Sequence, residues 1–182
     1  MSEQVIRNTK VVNRSKTRNL VQVAMLGAVA AVLMYLEFPI PIMPAFVKLD
    51  VSELPALIAS FAYGPVSGVL VCLIKNLIKL PSTSTAAVGE LFNFVMGALF
   101  VGVAGIVYKR NKTRKGAIVG ALLGALVMAV VSVPYNYFIV YPAYVVMYHL
   151  PLEAIIGMYQ AINPSVDGLL TCLLVFNLPF TF

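Results

Sequence analysis

The sequence predicts an all-α membrane protein, a compact bundle of transmembrane helices. Three observations carry that expectation. Apolar residues make up 60% of the chain and mean hydropathy is +0.92, against about 45–50% apolar residues in a typical globular domain. A soluble chain of 182 residues has no core able to hide so much apolar surface, and the length suits one bundle. Finally, most of the 13 Lys and Arg fall in two clusters, each beside an apolar run. One holds Arg7, Lys10, Arg14, Lys16 and Arg18; the other holds Lys109, Arg110, Lys112, Arg114 and Lys115. That is the positive-inside pattern, which places both clusters in the cytoplasm. The net charge of +6 therefore points to a membrane surface. Nucleic-acid binding would need basic residues interleaved with polar readers on a soluble face.

Residues 1–18 are polar and basic, a flexible or interfacial tail. The first span runs from about Asn19 to Glu37. On it Ala24 and Ala28, and Gly27 and Ala31, stand one helical turn apart and make a smooth face. Small residues let membrane helices approach closely, so the face suits either a neighbour in the bundle or another protein. Phe38-Pro-Ile-Pro-Ile-Met-Pro-Ala-Phe46 cannot be helical, because its prolines remove donors and fix φ. It is an apolar loop, suited to covering a hydrophobic ligand or to lying among headgroups.

A short second helix follows, over Leu54 to Tyr63, with Lys48, Asp50 and Glu53 before it and Gly64-Pro65 after it. About ten residues reach roughly 15 Å, half of the roughly 30 Å of a bilayer core. Irregular backbone at membrane depth is tolerated where it is buried in protein or lines a cavity. A binding cavity beside this stretch is one reading; an ordinary short helix with an interfacial loop is the other. The third helix is expected over Val66 to Leu80, with Lys75 and Lys79 on one face, snorkelling to the interface. A hydroxyl-rich loop over residues 81–89 leads to the fourth helix, Glu90 to about Tyr108. Glu90 suits the positive helix end, and Asn93 shares its face.

Four helices between two cytoplasmic clusters return the chain to its starting side. The external side then gathers the proline loop, Lys48, Asp50, Lys75, Lys79, Glu90 and Asn93. The fifth span starts at Gly116 and ends near Pro134. Gly116, Gly120 and Gly124 give it a close-packing face, expected to be internal. Tyr135, Asn136, Tyr137, Tyr141, Tyr144 and Tyr148 then crowd together, as an interfacial belt or as stacking partners for a flat ring. His149 stands alone at the interface. Cys72 and Cys172 each lie in an apolar run, so neither disulfide nor metal is expected.

The sequence holds no HExxH, CxxC, GxSxG or Gly-Lys-Ser/Thr loop. An enzyme is disfavoured. The carboxylates at the external mouth lie close to lysines and fit pairing better than acid/base work. No acidic residue falls mid-span in helices one, three, four or five, which leaves ion-coupled transport unsupported.

Taken together, several runs resemble one family. They are Lys48-Leu-Asp-Val-Ser-Glu-Leu-Pro-Ala-Leu-Ile-Ala-Ser-Phe-Ala-Tyr-Gly-Pro65, Gly68-Val-Leu-Val-Cys-Leu-Ile-Lys-Asn76, Gly89-Glu-Leu-Phe-Asn93 and Tyr135-Asn-Tyr137. They are similar to the riboflavin-type substrate-binding S components of energy-coupling factor (ECF) transporters, over essentially all of residues 19–182. The resemblance implies a six-helix bundle that binds a vitamin from outside. It implies partners in a transmembrane coupling protein and two cytoplasmic ATPases, with riboflavin or a close flavin as transported ligand and no cofactor. It matches Ala24 and Ala28 to the face that docks the coupling protein. It places the ligand near Phe46 and Lys48, Glu90 and Asn93, Asn136 and Tyr141, and Asn177. On this basis residues 1–182 are expected to form a single integral-membrane substrate-binding domain. An S component for another vitamin, which would share the bundle but not the loops, is the alternative within the family. A membrane enzyme or scaffold protein is the alternative outside it. The family's last helix, with its ligand lysine, begins about where this chain stops. The expectation is therefore a truncated or missing sixth helix. Hydropathy alone would allow a short span over Val166 to Phe182, whereas the resemblance makes Ser165 to Asn177 an external segment.

Overall fold

The computed structural model describes residues 2–36, 38–39, 48–49, 51–82 and 88–148, with single positions at 153, 156, 157 and 160. Helix α1 spans Ser2–Tyr35. No proline occurs in that stretch and its first glycine is Gly27, so nothing breaks the backbone ladder. The residues expected as a flexible or interfacial tail are accordingly helical. Strands β1 (Phe38–Pro39) and β2 (Lys48–Leu49) pair antiparallel, Phe38 opposite Leu49, and pin the two feet of the apolar loop together.

Helix α2 (Glu53–Tyr63) and helix α3 (Pro65–Lys79) meet at Gly64. Its φ of 105° lies where a side chain is strained, and Pro65 opens α3 with the φ a first turn needs. A 3-10 turn, Leu80–Ser82, ends α3. Helix α4 spans Val88–Arg110 and α5 spans Arg114–Tyr135. Thr113 caps α5 by accepting from the Gly116 amide at 3.0 Å. The sequence suggested an end to this helix near Pro134. Instead α5 passes into a π-helical segment, Asn136–Val140, and on into α6, Tyr141–Tyr148. A proline inside a helix leaves the carbonyl a turn earlier without its donor. The wider π turn just beyond it is one way a helix absorbs that defect.

Helix directions follow from the contacts. Tyr35 Oη lies 3.4 Å from the Ile78 carbonyl, and a Cβ at Gly27 would strike Ile74, so α1 and α3 run the same way. Ser60 Oγ donates to the Val101 carbonyl at 2.7 Å, and Glu53 lies against Gly97, so α2 and α4 run the same way. Gly120 faces the Ala104 backbone and Gly124 the Phe100 backbone, so α5 is antiparallel to α4. Gly68 lies against Ser60, so α3 reverses α2. Directions thus alternate from α1 to α5, and the two basic clusters lie at one end of the bundle. The glycine face of α5 is internal, as expected.

Among the described residues, four helices are long and apolar enough to cross a membrane: Lys16–Tyr35, Pro65–Ser82, Val88–Arg110 and Arg114–Val140. The 11-residue α2 is not among them. Its inner face nevertheless belongs to the core, with Ala56, Ala59, Val23, Ala30, Val71, Cys72 and Val101. The face of small residues on α1 divides. Gly27 and Ala31 are buried, Gly27 against Ile74, while Ala24 and Ala28 are exposed.

Candidate ligand site at the end away from the basic clusters

Polar groups line α4 in depth, starting from the end opposite the basic clusters. Glu90, in its first turn, is only 7% exposed. The positive end of the helix favours a carboxylate there. Lys79 lies within electrostatic reach of Glu90, and its Nζ is 3.5 Å from the Met34 carbonyl. About 4.5 Å deeper, at 1.5 Å per residue, Asn93 Oδ1 receives Asn76 Nδ2 at 3.4 Å. The same Nδ2 donates to the Cys72 carbonyl at 2.8 Å.

Roughly 10 Å below Glu90 lies an ion pair. Lys75 is fully buried, with Nζ 2.6 Å from Glu53 Oε1 and 2.6 Å from Ser52 Oγ. Cys72 Sγ is 3.6 Å from the other carboxylate oxygen. Gly97 makes room for it: a Cβ there would stand 2.5 Å from Glu53 Oε1. The expectation that Lys75 snorkels to the interface is therefore wrong. Its side chain points across the bundle to α2, because a carboxylate inside offers a partner at full strength where lipid offers none. Pairing of lysines with nearby carboxylates, read from the sequence, is what the interior shows.

On the facing helix, the register of Gly120 and Gly124 against α4 carries Asn136 level with the first turn of α4. Asn136 and Val140 are buried while Tyr137, Phe138 and Ile139 between them are exposed. The π segment therefore keeps Asn136 turned inward after Pro134. Tyr135 lies against Phe92, ring centroids 5.6 Å apart. Tyr137 and Phe138 contact each other on the outside, as belt residues would. The crowd thus divides, with Tyr135 packed on α4 and Tyr137 facing outward.

Glu90, Asn93 and Asn136 are thereby brought to one end. Lys48 sits in β2 and Tyr141 opens α6, but their side chains fall outside the described residues. Phe46, Asn177, His149, Cys172 and the segment from 161 to 182 also lie outside them. The sequence reading missed Asn76 and the Glu53–Lys75 pair as members of the interior. The available signal was a cation and a carboxylate on different helices, each within an otherwise apolar run. A cleft of about 350 Å³ opens at the opposite end, lined by Tyr63, Pro65, Tyr108, Lys109 and Lys112 among others. Of the buried polar groups it holds Ser60, whose Oγ is taken by the Val101 carbonyl, while Lys75, Asn76, Glu90 and Asn136 lie elsewhere.

The ECF transporter substrate-specific component family matches residues 18–182. The riboflavin transporter RibU of Staphylococcus aureus (strain TCH60) is 37% identical over 138 residues, covering 76% of this chain and 73% of that protein. The riboflavin transporter FmnP of Bacillus subtilis (strain 168) is 38% identical over 139 residues, covering 75% and 73%. A solved structure of the S component of a bacterial ECF transporter superposes with a TM-score of 0.68 at 32% identity, over 91% of this chain and 90% of that one. The alternating apolar bundle, the buried polar groups at one end and these similarities agree: the chain is a multi-pass membrane protein, a transport component rather than an enzyme, and belongs to the substrate-specific S components of ECF transporters.

Proposed function

We infer that this chain captures riboflavin or a close flavin at the outer face of the cell membrane and passes it inward through an ATP-driven coupling module. The observation that carries this reading is the gathering of Glu90, Asn93 and Asn136 beside the Phe92–Tyr135 rings at one end. Riboflavin has a flat ring system and a polyhydroxylated ribityl chain. Such a ligand calls for aromatic walls and a few placed hydrogen-bonding groups. Phe46, Tyr135 and Tyr141 are the proposed walls. Glu90 accepts from ribityl hydroxyls, and Asn93, Asn136 and Asn177 both donate and accept. Lys48, at the loop foot, completes the set. The names of the two relatives favour riboflavin among vitamins. The module would comprise a transmembrane coupling protein, docked on Ala24 and Ala28, and two cytoplasmic ATPases.

The protein purified from membranes should carry a yellow flavin absorbance. Asn136→Ala should then weaken flavin binding. A ligand hydrogen bond lost with its partner left buried costs about 1–3 kcal/mol, roughly tenfold or more in affinity. Unchanged affinity in a folded variant would remove Asn136 from the site. The orientation follows from the basic clusters. Cysteines placed at Ser82 and Lys112, both exposed and at opposite ends, should label from outside and from the cytoplasm respectively. Labelling of both from outside would overturn the orientation.

A further inference from the structure

The cleft at the end with the basic clusters lies where the turn between α2 and α3 meets the last turn of α4. Its volume of about 350 Å³ is at the low end of ligand-sized pockets, roughly 300–1,000 Å³, and suits a small polar group. Lys109 and Lys112 line it together with Tyr63 and Tyr108. Tyr108 is held in place against Phe61, ring centroids 4.6 Å apart. Among the described residues neither ammonium has an ion-pair partner, and neither tyrosine hydroxyl has a hydrogen-bond partner. The sequence explains the lack of carboxylates. It has no Asp or Glu between Glu53 and Glu90, nor between Glu90 and Glu153, and those stretches supply the whole lining, residues 60–66 and 105–112. Glu3 stands in the first turn of α1, well before the span that opens at Lys16. The positive-inside pattern accounts for basic residues on this side. It does not account for two of them sharing a cavity with two tyrosines. Donors without a carboxylate call for an anion.

The surroundings say which anion. Val66 also lines the cleft and is 72% exposed. With Leu70, Leu73 and Leu77 it makes one exposed apolar row along α3. A candidate membrane span opens at Pro65 and another closes at Arg110. The cleft therefore sits at the rim of the apolar belt, and one of its walls continues into that belt as an apolar track. A soluble phosphate would match the donors alone; a phosphodiester carrying acyl chains matches both parts. We propose that the cleft binds the headgroup of an anionic phospholipid. Lys109 and Lys112 pair with the phosphate, Tyr63 and Tyr108 donate to its oxygens, and an acyl chain lies along the α3 row from Val66. Basic pockets between membrane helices are suited to anionic headgroups in this way. The site is independent of the flavin reading, since it lies at the end opposite Glu90. A headgroup held there bridges the α2–α3 turn to α4, so it should stabilise the fold, as any ligand of the folded state alone does.

Thermal unfolding of the purified protein in a non-ionic detergent reads the effect. Added phosphatidylglycerol should raise Tm by several degrees, and zwitterionic phosphatidylcholine should raise it far less. Lys109→Gln with Lys112→Gln should lose about half or more of the phosphatidylglycerol shift. Arg110→Gln with Arg114→Gln removes the same charge from exposed positions outside the lining and should keep the shift. Equal losses in the two double variants would make the effect one of net charge and overturn the proposal. A shift reproduced by inorganic phosphate alone would assign the cleft to a soluble anion and overturn the lipid source. No phosphatidylglycerol shift in the wild type would overturn it as well; loss of a co-purifying coupling protein in the lysine variant would then make the cleft a protein contact. Should the lysine variant unfold before lipid is added, Tyr63→Phe with Tyr108→Phe decides on the same shift. That pair removes two donors without changing the charge: a smaller shift supports the site, and an unchanged one overturns it.

Discussion

Lys75→Met is expected to destabilise the bundle by about 3 kcal/mol or more, because it strands a carboxylate inside. The ammonium is fully buried between two acceptors, and the Glu53 side chain is 25% exposed. Removing one partner of a buried pair typically costs about 3–5 kcal/mol, mostly the penalty of the unpaired charge left behind. Partial exposure of Glu53 lets water recover some of it, which sets the expectation at the lower end. Replacing both partners by neutral groups is often nearly free. Lys75→Met combined with Glu53→Gln should therefore be more stable than Lys75→Met alone, a positive coupling across the pair. Thermal unfolding in detergent of the wild type, both single variants and the double variant measures this. A Lys75→Met protein as stable as the wild type would show that the pair does not hold α2 to α3.

Ala24→Trp together with Ala28→Trp is expected to abolish flavin uptake while leaving binding within about twofold. Both alanines are exposed on α1, at the edge of the face whose Gly27 and Ala31 are buried. Association in lipid depends on close packing of small residues, not on burying apolar surface from water. Two indole rings would hold a partner helix several ångströms away and end the proposed contact with the coupling protein. Both positions are exposed, so the rings would stand outside the buried Val23, Ala30 and Met34 that face the bundle. Uptake into cells and flavin titration of the purified variant separate the two effects. Equal loss of binding and uptake would mean that this face serves the bundle itself.

The sequence alone determined the class and the alternation of the helices. Apolar excess forces helices into lipid, basic clusters mark one side, and Gly64-Pro65 makes a turn that only such residues permit. The spacing of Gly116, Gly120 and Gly124 announced a tight helix pair, because a missing side chain has one main use at that period. These are local properties, written in single segments. The tertiary structure decided what depends on partners from distant segments. Lys75 has the same sequence signature as a snorkelling lysine; only the arrival of Glu53 and Ser52, with Gly97 leaving room, makes burial the better state. Asn136 was expected just past a helix end, and the π turn after Pro134 instead carries it inward on a continuing helix. Asn76 carried no signal at all, since its meaning lies in Asn93 on another helix. An amide or a charge in an apolar run takes its role from what it meets across the bundle, and that meeting is fixed by packing geometry rather than by periodicity.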